Sequence, residues 1–158
     1  MKQIVMRTSV ALLAAAALHA QQPAKSCNNE TLKGAYGVIF NGTVPAATVL
    51  PIFPSALFPP GTIEQVIGVV VHTFDGSGKF TQTDTVKGSL SGPILDRPGF
   101  GTYKVNPDCS GTYSIIIPVP GVPPIVVHFV VVDSGKEFRG IVVSPQAAMT
   151  TANGRKID

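Results

Sequence analysis

The chain has no tryptophan, two cysteines and three histidines, and only 13% of its 158 residues carry charge. Each scarcity removes a class of protein. After Lys2 and Arg7 leave with the N-terminal segment described below, ten basic residues face nine acidic ones. A net charge near +1 without clustered cations gives no nucleic-acid or anionic-membrane surface. Long apolar runs are also missing beyond the first 20 residues, so no segment reads as a transmembrane helix. The stretch TVPAATVLPIFPSALFPPG, residues 43 to 61, comes closest in composition. Its prolines at 45, 51, 54, 59 and 60 would break such a helix.

What is present begins with an export signal. Lys2 and Arg7 precede an apolar core from Val10 to Leu18 that ends in small residues near Ala20. Cleavage there leaves one domain, residues 21–158, of roughly 140 residues, enough to bury about two thirds of its unfolded surface. The expected location is secreted or periplasmic. In that oxidising setting Cys27 and Cys109 are expected to pair, with two free buried thiols as the alternative.

From Gly34 onward, runs of Val, Ile, Thr, Phe and Tyr alternate with clusters of Gly, Pro, Asp and Asn, which predicts hairpin-connected strands. Eight are expected, at 35–42, 62–74, 79–89, 99–105, 111–118, 124–133, 136–143 and 147–155, with one helical turn near Asn28 to Leu32. Short connections make sequence neighbours antiparallel neighbours. The fold class is therefore all-β, an eight-stranded antiparallel up-and-down barrel, with a two-sheet β-sandwich as the alternative. All three tyrosines stand in Gly-x-Tyr triplets at Tyr36, Tyr103 and Tyr113. A strand glycine lets a sheet bend, and a nearby aromatic covers its bare backbone.

Three strands, VIGVVVHTF from Val66, SIIIPVP from Ser114 and IVVHFVVV from Ile125, are apolar on both faces. Filling a barrel accounts for only half of those side chains, and leaving the others in water forfeits roughly 1.5–3 kcal/mol per large residue. The insertion at 43–61 is the natural cover, through an apolar contact surface of Phe53, Leu57 and Phe58. Packing against its own wall is the first expectation, an oligomer or partner surface the second, a lid over a ligand cavity the third.

CNNETLKGAYG, HTFDGSGKFTQTDTV, GTYKVNPDCSGTYSI and HFVVVDSGKEFRGI together resemble a group of small secreted bacterial proteins with the order Cys, Leu-x-Gly-x-Tyr-Gly, Phe-Asp-Gly-x-Gly, Gly-x-Tyr-x-Val-Asn-x-Asp-Cys-x-Gly and a Gly-Lys-Glu hairpin. The resemblance spans Cys27 to about Val143. It implies a calycin-like or allene-oxide-cyclase-like barrel with its two cysteines joined, and it carries no activity. The segment 43–61 departs from it in length and proline content.

No constellation nominates an active site. His72 and His128 could begin a zinc site, but a third ligand is missing once the cysteines pair; His128 is expected partly buried among Val126 and Val130. The DGSGK turn from Asp75 fails as a calcium loop because Lys79 occupies a ligand position. Gly88-Ser89-Leu90-Ser91-Gly92 mimics a nucleophile elbow with Leu90 where the nucleophile belongs. Asp84, Asp96 and Glu137 are carboxylates without a spacing that pairs any two. No catalytic residue, metal or cofactor is assigned. The expected function is a non-enzymatic binding or interaction module for a hydrophobic small molecule or for its own copies. The alternatives are a cyclase- or isomerase-like enzyme holding an apolar substrate, and a structural cell-envelope protein.

Overall fold

The computed structural model describes residues 26–46, 59 and 61–157. Eight strands form one closed antiparallel barrel: β1 Gly34–Pro45, β2 Ile63–Phe74, β3 Lys79–Gly88, β4 Gly92–Val105, β5 Ser110–Ile116, β6 Ile125–Val132, β7 Glu137–Ser144 and β8 Met149–Lys156. Each strand pairs with its sequence neighbour, and β8 returns to β1 with Phe40 opposite Ala152. The barrel, rather than the sandwich, is the architecture. Closure leaves no unpaired edge.

Two expected boundaries move. Thr43 to Pro45, assigned to the insertion, continue β1 opposite Gln65 to Ile63. β4 starts seven residues before the expected 99, at Gly92. Pro93 and Pro98 flank an irregularity where β4 carries an extra residue, between the pairs Asp84–Arg97 and Val86–Ile94. A proline without an N–H is tolerated best at such a bulge. Inward alternation runs Val105, Tyr103, Gly101, Gly99, Arg97, and the bulge then turns Leu95 to solvent.

Sharp curvature comes from glycines, and the rings that cover them are not the triplet tyrosines. Four directly opposed Phe–Gly pairs fall in alternate hairpins: Phe40–Gly68 in β1–β2, Phe80–Gly101 in β3–β4, Phe129–Gly111 in β5–β6 and Phe138–Gly154 in β7–β8. A Cβ added at any of these four glycines would sit 2.2–2.7 Å from a ring carbon of the paired phenylalanine. The ring lies directly on bare backbone.

One end of the barrel, here the floor, carries the 75–78, 106–109 and 133–136 turns and a single turn of 3-10 helix, Asn29–Leu32, whose Leu32 is fully buried. The Cys27–Cys109 disulfide ties the chain start to the β4–β5 turn. Asn29 Oδ1 accepts from the Val105 amide at 2.8 Å, the Tyr103 hydroxyl donates to the Asn29 carbonyl at 3.1 Å, and the Tyr36 hydroxyl donates to the Gly135 carbonyl. Above this cap, Tyr36, Phe74, Phe80, Tyr103, Tyr113, Phe129 and Phe138 fill the interior, many at edge-to-face angles. In the Asp75 turn the Ser77 hydroxyl, together with the amides of Ser77, Gly78 and Lys79 on Oδ1, holds the Asp75 carboxyl at about 2.

The other end, the mouth, bears the β1–β2 connection, the 89–91 turn, the 117–124 loop and the 145–148 turn. The stems of the 43–61 insertion meet here, where the Ala46 amide donates to the Thr62 carbonyl at 3.0 Å. Phe53, Leu57 and Phe58 lie outside the described residues.

Outside, the wall is divided. Lys79, Thr81, Thr83 and Lys87 on β3 and Thr102 and Lys104 on β4 face solvent, whereas Ile39 on β1 and Ile67, Val69 and Val71 on β2 form an apolar strip about half exposed. The interior is packed with rings at the floor, and the outer face carries charge on β3 and β4. Among the described residues no helix is long and apolar enough to cross a membrane.

Candidate functional site

The mouth half of the barrel is hollow. Val38, Val66, Val70, Val86, Ile115 and Ala152 are among the aliphatic side chains around a cavity of about 110 Å³ that runs from His72 and Tyr113 at its base to Val122, Pro123 and Pro145 at the mouth. Four polar side chains stand on one wall. They come from three consecutive strands and form a single chain of contacts.

Arg97 on β4 closes a bidentate pair with Asp84 on β3, with Nε to Oδ1 at 2.9 Å and Nη2 to Oδ2 at 3.0 Å. Both side chains are withdrawn from water, Asp84 to 3% and Arg97 to 14% exposure, so each needs the other. Gln82, two residues along β3 on the same inward face, donates its Nε2 to Asp84 Oδ2 at 2.9 Å. Its Oε1 then faces His72, its directly opposed partner on β2, at 3.0 Å.

This arrangement settles the imidazole tautomer. A carboxylate paired to a guanidinium only accepts, so the Gln82 amino group must face Asp84 and its carbonyl must face the histidine. Nε2 of His72 therefore carries the proton. Nδ1 keeps its lone pair, is buried, and has no hydrogen-bond partner among the described residues. Phe74, Phe80, Tyr113 and Phe138 surround the ring, with centroids 5.2–6.3 Å away. Burial among them lowers the imidazole to about 4, against a smaller upward pull from the Gln82 contact. The same burial raises the Tyr113 phenol. The ring is neutral at ordinary pH.

A second buried carboxylate, Glu64 on β2, lies toward the mouth. Its Oε2 accepts from the Leu90 and Ser91 amides at 3.2 Å and from the Ser91 hydroxyl at 2.9 Å. The segment that mimicked a nucleophile elbow is thus a turn clamped onto Glu64. Glu64 does not line the cavity.

Of the residues singled out from sequence, Cys27 and Cys109 are joined, at the far end from the cavity. Asp84 is in the site, but Asp96 sits on the exposed bulge and Glu137 lies on the outer wall beside Arg139 and Arg155. These three carboxylates are not brought together. His128, expected to be partly buried, is exposed on β6, because Val127, Phe129 and Val131 take that strand's inward positions. His72 is the buried imidazole. Among the described residues no three His, Cys, Asp or Glu side chains converge on a metal position.

Gln82 and Arg97 are not singled out from the sequence, and His72 is weighed there only as a zinc ligand; for Gln82 and His72 the signal lies in strand parity. Gln82 and Asp84 share their face with Phe80 and Val86, and His72 shares its own with Phe74. No family model, curated protein or solved structure matches the chain significantly. The fold and the cavity define it as a small closed antiparallel barrel with an internal polar wall.

Proposed function

We propose that the protein is an exported binding barrel that holds one small, mainly apolar molecule in the mouth half of its interior. The observation that carries this reading is the contrast between a ring-filled floor and a hollow aliphatic mouth with convergent polar groups on one wall. A cavity with such a lining is the ordinary form of a small-molecule site. Its size is on the scale of the roughly 150 Å³ apolar cavity that accepts a single benzene. A pre-formed closed barrel also loses little freedom when a ligand enters.

Extraction of natively purified protein, followed by mass spectrometry, is expected to yield one dominant lipophilic compound of about ring size. Adding that compound back at about a hundred times its Kd should stabilise the protein by about 2.7 kcal/mol. An empty extract, together with no thermal shift from a panel of small aromatic and terpenoid compounds, would overturn the reading.

The apolar strip of Ile39, Ile67, Val69 and Val71 favours a second reading, self-association through the outer face of β1 and β2. Light scattering coupled to size exclusion decides it. A strict monomer at high concentration removes this reading and leaves the first intact.

A further inference from the structure

We propose that Nδ1 of His72 is the anchor for the ligand, accepting a hydrogen bond from a hydroxyl or N–H group on a body of about one aromatic ring, so that the barrel selects donors over acceptors. The inference rests on the ligand-binding reading above and deepens it. Four observations support it. His72 lines the cavity, and its Nδ1 is a buried acceptor without a partner. Leaving such a group unpaired is costly, and a ligand that satisfies it recovers that cost. The Arg97–Asp84–Gln82 chain fixes which nitrogen has the free lone pair. Finally, the rest of the cavity wall is mainly aliphatic, which matches an apolar body; outside the Arg97–Asp84–Gln82 chain its other polar groups are the Tyr113 hydroxyl and Thr150 Oγ1, the latter also buried without a partner among the described residues.

Gln82 is a positioning residue on this account, since it acts on the ligand only through the imidazole. Without it, both tautomers become accessible and the nitrogen facing the ligand can carry a proton. A carbonyl ligand would bring one acceptor against another. A phenol or alcohol fits, as does the N–H of an azole.

The test uses phenol, toluene and benzaldehyde, three probes of nearly one size, measured by calorimetry against the native protein, His72→Phe and Gln82→Met. In the native protein phenol is expected to bind about tenfold or more tightly than benzaldehyde. The phenol-to-toluene affinity ratio is expected to fall by about tenfold or more in His72→Phe. Gln82→Met should lower the phenol-to-toluene affinity ratio.

Histidine-selective nitrogen-15 spectra of the unmutated protein supply a readout independent of variant folding. The His72 Nδ1 resonance should lie in the unprotonated range and shift on adding phenol but not toluene. A protonated Nδ1 in the free protein, or equal binding of phenol and benzaldehyde, would overturn the anchor while leaving the cavity reading in place. Failure of all three probes and of any extracted compound to bind would instead remove the cavity reading itself.

Discussion

The two halves of the barrel share eight strands but use their inward positions differently. At the floor those positions hold Tyr36, Phe74, Phe80, Tyr103, Tyr113, Phe129 and Phe138, and a disulfide and a 3-10 turn close the end. Toward the mouth the same alternation supplies Val, Ile, Ala and a polar wall, and the middle stays empty. The difference is one of volume per inward position. Rings large enough to meet across the axis make a plug, whereas branched aliphatic side chains of the same barrel leave a chamber. Packed volume is therefore concentrated at one end and open volume at the other.

The sharpest way to break that contrast is to hollow the floor. Phe138→Ala removes a fully buried ring that stacks near His72 and meets Tyr36, Phe74, Tyr113 and Phe129. It should cost about 3–5 kcal/mol in denaturant unfolding. Next is the staple. Cys27 and Cys109 are 82 residues apart, and replacing both by serine should cost about 4 kcal/mol on the chain-entropy account, with the mouth cavity and its ligand preference unchanged when measured under folding conditions.

A third prediction sets pH against the polar wall. His72 is lowered to about 4 in the fold, from an ordinary value near 6.5. The unfolded chain therefore takes up a proton that the folded chain refuses between those two values. This contribution to stability is complete above about 6.5, falls as pH drops, and levels off below about 4, amounting to about 3 kcal/mol. The charged groups on its side of the interior, Asp84 and Arg97, are paired with each other and offset one another across Gln82. Asp75, held near 2, loses its own contribution at lower pH and leaves this window clear. Denaturation curves at pH 7 and pH 4.5 for the native protein and His72→Phe isolate the imidazole, because the variant should lack the decline.

The smallest effect is expected at the mouth. Ala152→Val adds two methyl groups to a cavity-lining position and should change stability by less than about 1 kcal/mol. It should weaken ligand binding severalfold, which calorimetry with phenol reads directly. A large loss of stability there would mean that the mouth is packed as tightly as the floor.

Much of the fold was legible because strand and turn chemistry are local. Asp-Gly-Ser-Gly and Asn-Pro-Asp mark chain reversals wherever they occur, and eight β-rich runs between such signals leave few topologies. The export signal leads to the expectation that Cys27 and Cys109 pair, and they are joined. The site was harder to read because parity says which residues share a face but not which face looks inward. His72 and His128 each follow Val-Val, and their near neighbours are alike. Only the phenylalanines separate them, since Phe74 is two residues from His72 and on its side, whereas Phe129 is adjacent to His128 and on the opposite side. Arg97 was hidden between prolines that a bulge accommodates. Phe53, Leu57 and Phe58 lie outside the described residues.

The four opposed Phe–Gly pairs have a consequence for assembly of the sheet. A hairpin misaligned by one position turns its greasy side outward and is rejected at once. Misalignment by two keeps the correct side inward, and alternation is blind to it. In that case Phe40 would meet Val66 or Val70 instead of Gly68, and Phe129 would meet Cys109 or Tyr113 instead of Gly111. A ring that needs bare backbone collides with a side chain in each. With such keyed positions in these two hairpins, the chain carries a check against the one mispairing its apolar pattern cannot detect.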